Sequence, residues 1–569
     1  MSNKVWQVMP KISENLRKKY PEINQVVLQL LFNRGITKKD EIEKFLNPSN
    51  NDLHDPFLFI DMERAVKLII KHIKAQNKIV IYGDYDADGV TAAALLYEVL
   101  EILKAKVDVY IPDRVSEGYG LNKKAIDEIT KKGTKLIITV DGGIRNKEEV
   151  EQAKIKGVEV VITDHHPPPE SKKDYPDCLI IDSLTKREEY PFKKLAGVGV
   201  AFKLAIAIVS KSKLSKKDKK KIEEKVLDLV AIGTIADCVS LTGENRILVK
   251  RGLDFLNNTK RLGLKELIEV AQIKRENLDA WNVGWQIGPR LNAAGRMEHA
   301  NTAYELLITK NKGKAEVLAR RLNDRNIERQ SITEEIVEKI EKQINLKKDD
   351  KIIIGVCPKE DEAWNEGVVG LVAGRICEKY YLPTLIITKA EGGYKGSGRS
   401  IDEFNLAIAV EDSEELLDKY GGHPAACGFC LEKKNLGKFI ERIKKYANKK
   451  LAGIDLRPKL EIDSELEFSE INNELVEAIE KFEPFGEGNP RQKFVSRNIL
   501  IRDVINMGID SQHVKFRLDN GLWALAFGQA ENYKDLKIGD KVDIVYYVEE
   551  NRFNGKVNLQ LKIIDIKNC

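Results

Sequence analysis

Three carboxylates stand at alternate positions in Gly83-Asp84-Tyr85-Asp86-Ala87-Asp88-Gly89. Like charges this close repel unless a cation lies among them. A hard divalent metal answers that need, because it takes oxygen ligands. A calcium loop counted from Asp84 would require a bidentate Glu at its twelfth position; Leu95 stands there, inside an apolar run. Further acids follow other apolar stretches. Leu136–Val140 runs into Asp141-Gly142-Gly143, and Val158–Thr163 runs into Asp164-His165-His166. Ile232–Ala236 runs into Asp237. The chain has only seven histidines, and two are adjacent here. Asp86, Asp88, Asp141, His165 and Asp237 form a mixed carboxylate and imidazole set suited to Mn²⁺, with Mg²⁺ serving where oxygens dominate.

These positions require strand ends. Lys78–Tyr82 is apolar and β-branched, and a helical run begins at Val90, so the acidic turn lies outside the carboxyl end of a strand, where α/β sheets keep their sites. Strands are expected at 78–82, 107–111, 136–140, 158–163 and 178–182, alternating with amphipathic stretches such as Lys123–Lys132 and Lys147–Lys156. That alternation predicts a parallel, doubly wound sheet.

At 569 residues the chain has room for roughly three or four domains. Residues 1–55 read as a helical lead-in whose stripe Val26, Val27, Leu30, Leu31 stops at Gly35. Residues 56–312 form the main α/β domain. Leu195–Val209 carries Lys203 and reads as a buried helix too short to span a bilayer; Lys211–Lys221 reads as a solvated joint. Residues 313–345 read as a long connector helix, because apolar residues recur mostly four apart. Residues 346–454 form a second α/β domain. From 455 to 569 five β-runs, 494–501, 513–518, 522–528, 541–548 and 557–564, suit a small barrel of the OB type.

The balance of 94 Lys and Arg against 89 Asp and Glu, net +5, does not by itself announce nucleic acid. Seven scattered cysteines and no apolar leader point to reduced thiols in a cytoplasm, with no membrane segment. Cys427-x-x-Cys430, if in a strand, aims its thiols at opposite faces and so makes a poor metal pair. In the barrel, Phe494, Arg497, Arg502, Lys515, Arg517, Trp523 and Phe527 interleave rings and cations, the means by which OB-folds hold single strands; such aromatics are also what a barrel core contains. In Gly396-Ser-Gly-Arg-Ser400 and Gly421-Gly-His423 glycines permit close approach to a phosphate, which Arg399 can grip bidentately.

The segments Asp84–Gly89, Asp141–Gly143 and Asp164–His166 resemble the motifs of the DHH phosphoesterase superfamily. With Arg34-Gly-Ile, Phe45-Leu46, Gly288-Pro-Arg-Leu-Asn-Ala-Ala-Gly-Arg296, Gly396–Ser400, Gly421–Gly428 and Phe482–Pro490, nearly the whole chain resembles the RecJ family within it. The resemblance implies a DHH domain, a DHH-associated domain and an OB-fold. It also implies a two-metal 5′→3′ exonuclease on single-stranded DNA that releases 5′-mononucleotides in repair and recombination. Asp84, Asp86, Asp88, Asp141, His165 and Asp237 would bind two ions roughly 3.5–4 Å apart that hold an activated water against a phosphodiester, with Asp141 bridging, Asp86 on one ion and Asp88, His165 and Asp237 on the other. His166 would assist in one of two ways: by donating to the phosphate, or by holding a carboxylate behind the metals. Arg114, Arg290, Asn292, Ser397, Arg399 and His423 would hold the strand and its terminal phosphate; an ion pair is the plain alternative for Arg114 and Arg290. Single-strand-binding protein and a helicase are the implied partners of a monomer. Two departures stand out. Cys427 occupies a usual glycine position, and Tyr82 stands where some members of the superfamily have a metal-binding histidine, which shifts weight onto Asp84 or water. Two rivals are a DHH phosphodiesterase for short oligoribonucleotides or cyclic dinucleotides, whose relatives generally lack a barrel, and a non-catalytic DNA-binding scaffold, which would have lost ligands.

Overall fold

The computed structural model describes residues 4–274, 277–344, 350–358, 363–553 and 556–569. It divides into one unit of Met1–Gly295, His299–Arg320 and Lys459–Cys569, and another of Arg296–Glu298 and Arg321–Pro458.

In the first unit, β-branched runs form five parallel strands. Across the sheet they lie in the order Lys106–Tyr110, Lys78–Tyr82, Thr134–Val140, Glu159–Thr163, Leu179–Ile181. The first of these five along the chain, 78–82, therefore lies between the second and the third. That reversal is the topological switch point at which open α/β sheets bind ligands. The expected strands are all present to within two residues at either end. The joint expected at Lys211–Lys221 is half wrong: Ser215 accepts from the amide of Asp218 and starts a helix over Lys216–Lys225. Lysine is a good helix former, and one cap suffices to turn a lysine run from loop to helix.

Leu195–Val209 belongs to the buried helix Gly197–Ser210. Its Lys203 is fully buried, with Nζ 2.5 Å from Glu244 and 2.8 Å from the carbonyl of His54. Tyr190 donates to the other Glu244 oxygen at 2.7 Å. The pair is thus satisfied on both sides, as a buried charge requires. Among the described residues no helix is long and apolar enough to cross a membrane.

The lead-in is not wholly helical. Val5–Val8 pairs in parallel with Lys459–Ile462, a partner far along the chain. Its helix Gln25–Asn33 packs with Asn473–Glu480 and the barrel interior in one core. The barrel closes through Phe494–Met507, His513–Leu518, Trp523–Ala526, Lys556–Asn568 and Lys541–Phe553, the last strand returning to the first. It is the expected OB-type barrel.

In the second unit the sheet order is Lys419–His423, Ala426–Glu432, Gly393–Arg399, Thr384–Ala390, Ile353–Val356. The long helix runs from Lys312 to Gln343. All seven cysteines are free. Cys427 is buried and Cys430 is half-buried on the same strand, consistent with opposite faces.

Breaking the Lys203–Glu244 pair on one side should destabilise strongly. Lys203→Met strands a buried carboxylate and is expected to cost about 3–5 kcal/mol. Adding Glu244→Leu should recover much of that loss. Denaturant midpoints of the single and double variants measure both; a single variant as stable as the parent contradicts the account.

Candidate metal centre

The acids reach the switch point by different local devices. Asp86 caps the helix Ala87–Ile102, with Oδ1 accepting from the amides of Asp88 and Gly89 at 2.9 and 3.0 Å. Asp88 is buried and turned to the amino end of the helix Gly197–Ser210, where it accepts from Gly197 at 2.7 Å and Val198 at 2.8 Å. A helix amino terminus favours a carboxylate there. Asp141 ends its strand at φ 61°, a left-handed conformation that a non-glycine residue adopts at a cost of order 1–3 kcal/mol. Gly197 is what lets it seat, because a Cβ there would lie 2.5 Å from Asp141 Oδ1. Gly89 does the same for Asp84, whose backbone a Cβ would meet at 2.6 Å. Asp237 caps the carboxyl end of the helix Leu227–Ala236.

His165 Nε2 is central to this group: 3.1 Å from Asp141 Oδ1, 3.6 Å from Asp237 Oδ2 and 3.9 Å from Asp88 Oδ2. The backbone of Leu195 engages the ring's other nitrogen. Burial, with His166 adding to it, pushes the His165 pKa down to about 4, so the ring is neutral at pH 7 with a lone pair on Nε2. Asp84 and Asp141 are driven well above the usual carboxylate range, first by burial and then by neighbouring carboxylates. Burial, then Asp86, lifts Asp88 to about 7; burial, then Asp88, lifts Asp237 to about 9.

The donor set fits hard or borderline divalent cations. Asp84 Oδ1, Asp141 Oδ1, His165 Nε2 and Asp237 Oδ2 are buried without a hydrogen-bond partner. Ligand atoms gather within 4.8 Å in three groups among the described residues: Asp84, Asp86, Asp141; Asp88, His165, Asp237; and Asp141, His165, His166. Buried oxygens facing one another with no donor between them are the electrostatic signature of a cation site.

Asp164 was absent from the candidate ligands and proves to be the anchor of the centre. It is fully buried and accepts from the amides of Ile144, His165 and His166 at 3.0, 2.7 and 3.1 Å. His166 Nδ1 lies 2.8 Å from the same carboxylate and 2.9 Å from the hydroxyl of Tyr119. Burial opposes ionisation of Asp164, but His166 outweighs it and holds the pKa below the ordinary value. Burial likewise opposes the His166 imidazolium, and Asp164 outweighs it, so that pKa is raised. Of the two sequence readings of His166, the observed contact is with a carboxylate. An acid in front of two histidines was the available signal for Asp164. Tyr119 carried none. Tyr82 donates to the carbonyl of Gly120 at 3.1 Å within the core and offers nothing to a metal.

The expected strand-binding residues divide. Arg114 lies 4.8 Å over the ring of Tyr85, in the acidic turn. Arg290 donates to the carbonyl of Gln286 at 2.8 Å. Asn292 has a contact within the protein rather than an open one: its Oδ1 accepts from Ala87 at 2.8 Å and so fixes the first turn after Asp86. In the second unit, Ser397 and Arg399 share one face of their strand, beside Gly370 of the helix Glu366–Tyr380. Arg399 and His423 fall in one row, each paired with Ala426, about 10 Å apart by strand spacing. The glycines there need correction. A Cβ on Gly396 would meet the Phe429 ring at 2.1 Å, and one on Gly398 would meet Leu406 at 2.5 Å, so both serve core packing rather than approach to a phosphate. Gly421 is open. In the barrel Phe494 is core, whereas Trp523 pairs across strands with Arg517 and has Lys515 Nζ 4.5 Å over its ring.

Known proteins share this organisation. Residues 78–234 match the DHH family, N-terminal domain; 349–449 match the DHHA1 domain; 462–565 match the RecJ OB domain. The single-stranded-DNA-specific exonuclease RecJ of Bacillus subtilis (strain 168) is 38% identical over 95% of this chain and 68% of its own length. That of Escherichia coli (strain K12) is 31% identical over 96% of each. The crystal structure of RecJ in complex with Mn²⁺ from Thermus thermophilus superposes with a TM-score of 0.84 at 29% identity, covering 99% of this chain and 79% of that one. With a relative 31% identical over 96% of both chains, another 38% identical over 95% of this chain, and all three domain types in the same order, the chain belongs to the RecJ family.

Proposed function

We propose that this chain is a divalent-metal-dependent exonuclease that degrades single-stranded DNA from its 5′ end to 5′-mononucleotides, in DNA repair and recombination. The observation that carries the reading is the cluster of buried, partnerless ligand atoms on Asp84, Asp141, His165 and Asp237 at the switch point. Relatives named as single-stranded-DNA-specific exonucleases, and a Thermus relative solved with Mn²⁺ and with Mg²⁺, support it. The closed barrel disfavours an enzyme for dinucleotides, and the full ligand set disfavours a scaffold.

In this reading Asp84, Asp86 and Asp141 hold one Mn²⁺ or Mg²⁺, and Asp88, His165 and Asp237 hold the other. Such a pair, when bound, supplies an activated water and charge stabilisation at the phosphodiester. Asp141 orients both sets, and its left-handed backbone is part of that placement. Asp164 fixes the His166 ring through Nδ1, which leaves Nε2 to donate to the scissile phosphate. Arg114 and Arg290 steady the strand. Arg399, with Ser397 and His423, takes the 5′-terminal phosphate and so sets polarity. The five-part division of the chain assigns catalysis to 56–312, end binding to 346–454 and strand binding to 455–569. Free thiols and the absence of a membrane-crossing helix among the described residues agree with a cytoplasmic enzyme. We place it there as a monomer working on strands opened by a helicase and coated by single-strand-binding protein.

Loss of Asp141 should remove turnover. Asp141→Ala is expected to abolish hydrolysis of 5′-labelled single strands with Mn²⁺ present while the fold is kept. Asp164→Asn, acting behind the ligands, should cost about 10–100-fold. Near-normal rates in either variant, with an unchanged circular dichroism spectrum, contradict the assignment.

Metal binding should strengthen with pH. Without a cation Asp88 titrates at about 7 and Asp237 at about 9, so at pH 6 both carry protons that a cation must displace. These raised groups favour the metal-free fold below their values and lose that contribution as pH rises through them. The gain in melting temperature from Mn²⁺ should therefore be larger at pH 8 than at pH 6. An equal gain at both pH values refutes the ligand set.

Arg399→Ala should weaken binding of 5′-phosphorylated strands far more than 5′-hydroxyl strands. A lost charge-assisted hydrogen bond costs roughly 1.5–3 kcal/mol, about tenfold to a hundredfold. Lysine should rescue in part, because it offers a point charge and not a fork. Paired titrations decide, and an unchanged affinity ratio in Arg399→Ala removes the residue from end recognition.

A further inference from the structure

Two of the five tryptophans are presented to water. Trp281 is 58% exposed and Trp285 is 70% exposed. Isolated exposed side chains need no explanation, but two indoles four residues apart make a large adjacent apolar surface of the kind that marks a binding site. They belong to Ala280–Asn282 and the π-helical turn Val283–Ile287 that follows it. Such turns are rare and concentrate at functional sites.

Their placement is specific. A Cβ on Gly284 would lie 3.6 Å from Ile235, and one on Gly288 would lie 3.3 Å from Ala236. The segment is thus pressed against the last turn of the helix that ends in Asp237. At its other end, Asp279 is near enough to Glu483 for the two carboxylates to repel. Glu483 lies just before the loop that leads into the barrel, and Leu241 donates to the carbonyl of Glu487 in that loop at 2.7 Å. The indoles therefore lie along the surface between the metal centre and the root of the barrel. From Ala280 to Gly295 the chain has no Asp or Glu, and it carries Arg290.

We propose that Trp281 and Trp285 form a stacking platform for unpaired bases of the strand that extends from the metal centre towards the barrel. The inference rests on the proposed reading of that centre as a single-strand nuclease. An enzyme that must cut every sequence cannot rely on base edges for its grip. Indole faces offer a hold that any base can use, because every base has a π-face. Within Ala280–Gly295 no carboxylate opposes the phosphates and Arg290 follows five residues after Trp285, while Asp279 and Glu483 lie at the segment's other end.

The test separates bases from phosphates. Binding is measured in Asp141→Asn, with Mn²⁺, to a 5′-phosphorylated 20-mer of thymidine and to a 20-mer whose residues are abasic. The parent should prefer the base-bearing strand. In Trp281→Ala/Trp285→Ala that preference should fall about tenfold or more, the scale of lost base stacking. Trp281→Phe/Trp285→Phe should keep most of it, since a ring remains. In the otherwise unaltered enzyme the alanine pair should raise KM more on the thymidine 20-mer than on a dinucleotide. The proposal is overturned if the alanine pair keeps the parent's preference, or if the phenylalanine pair loses as much as the alanine pair. Failure of the nuclease reading looks different: the unaltered protein would not cut the thymidine 20-mer, while the binding comparison would still report on the indoles.

Discussion

Repulsion among carboxylates is the constraint on which the rest of this structure depends. Asp84, Asp86, Asp88, Asp141 and Asp237 converge at one sheet edge, four of them shifted towards the protonated form by burial and by one another. Two unit charges 4 Å apart cost about 4 kcal/mol at an effective dielectric of 20. Among the described residues, little at the edge itself offsets that. The fold concentrates its local compensations behind the ligands. A helix amino terminus receives Asp88, a capping turn receives Asp86, and three amides with an imidazole receive Asp164. Asp86 is held through one oxygen, Asp88 accepts an amide on each oxygen while Oδ2 still faces His165, and Asp164 spends its oxygens on the frame behind the ligands. The site is built to be incomplete as protein.

Much of this was legible in the sequence because it is local. A β-branched run followed by an acid reads as a strand end, and five such runs predict a parallel sheet. Period alone located the strands. The switch point required the actual strand order, which no local pattern holds, although it is what makes Asp84 and Asp141 neighbours. The same limit hid the pairing of Val5–Val8 with Lys459–Ile462. It also hid the purpose of several small residues. Gly197 lies inside a run that reads only as a buried helix, yet it makes room for Asp141; Gly396 and Gly398 read as a phosphate turn, yet they make room for Phe429 and Leu406. A glycine's meaning lies in what would strike its missing Cβ, and that atom is distant in sequence.

Residues that act through other residues were the hardest to find. Asp164 stands in plain view before His165, but as a sequence element it cannot be told from a ligand. Only its inventory of accepted bonds shows that its oxygens are spent on the backbone and on His166. Asn292 was expected at the substrate, and its Oδ1 also holds the amide of Ala87. Both cases follow one rule. A polar side chain's function is set by which of its atoms remain unsatisfied after folding, and satisfaction is a property of three dimensions.

The same accounting bears on how a nuclease of this kind can advance along a strand and stay indifferent to its sequence. Several of its basic and aromatic groups occur in pairs rather than singly. Lys515 lies over Trp523, Lys562 Nζ is 5.9 Å from the Phe527 ring, and Arg114 lies over Tyr85. A cation over a ring is attracted to the ring's face without needing a carboxylate, and such a charge can meet a phosphate. Were these cations instead paired with surface acids, as Arg497 is with Asp543 at 2.8 Å, each new phosphate contact would first have to break an ion pair. Ring-supported cations avoid that cost, as a surface that released and regained a strand would require.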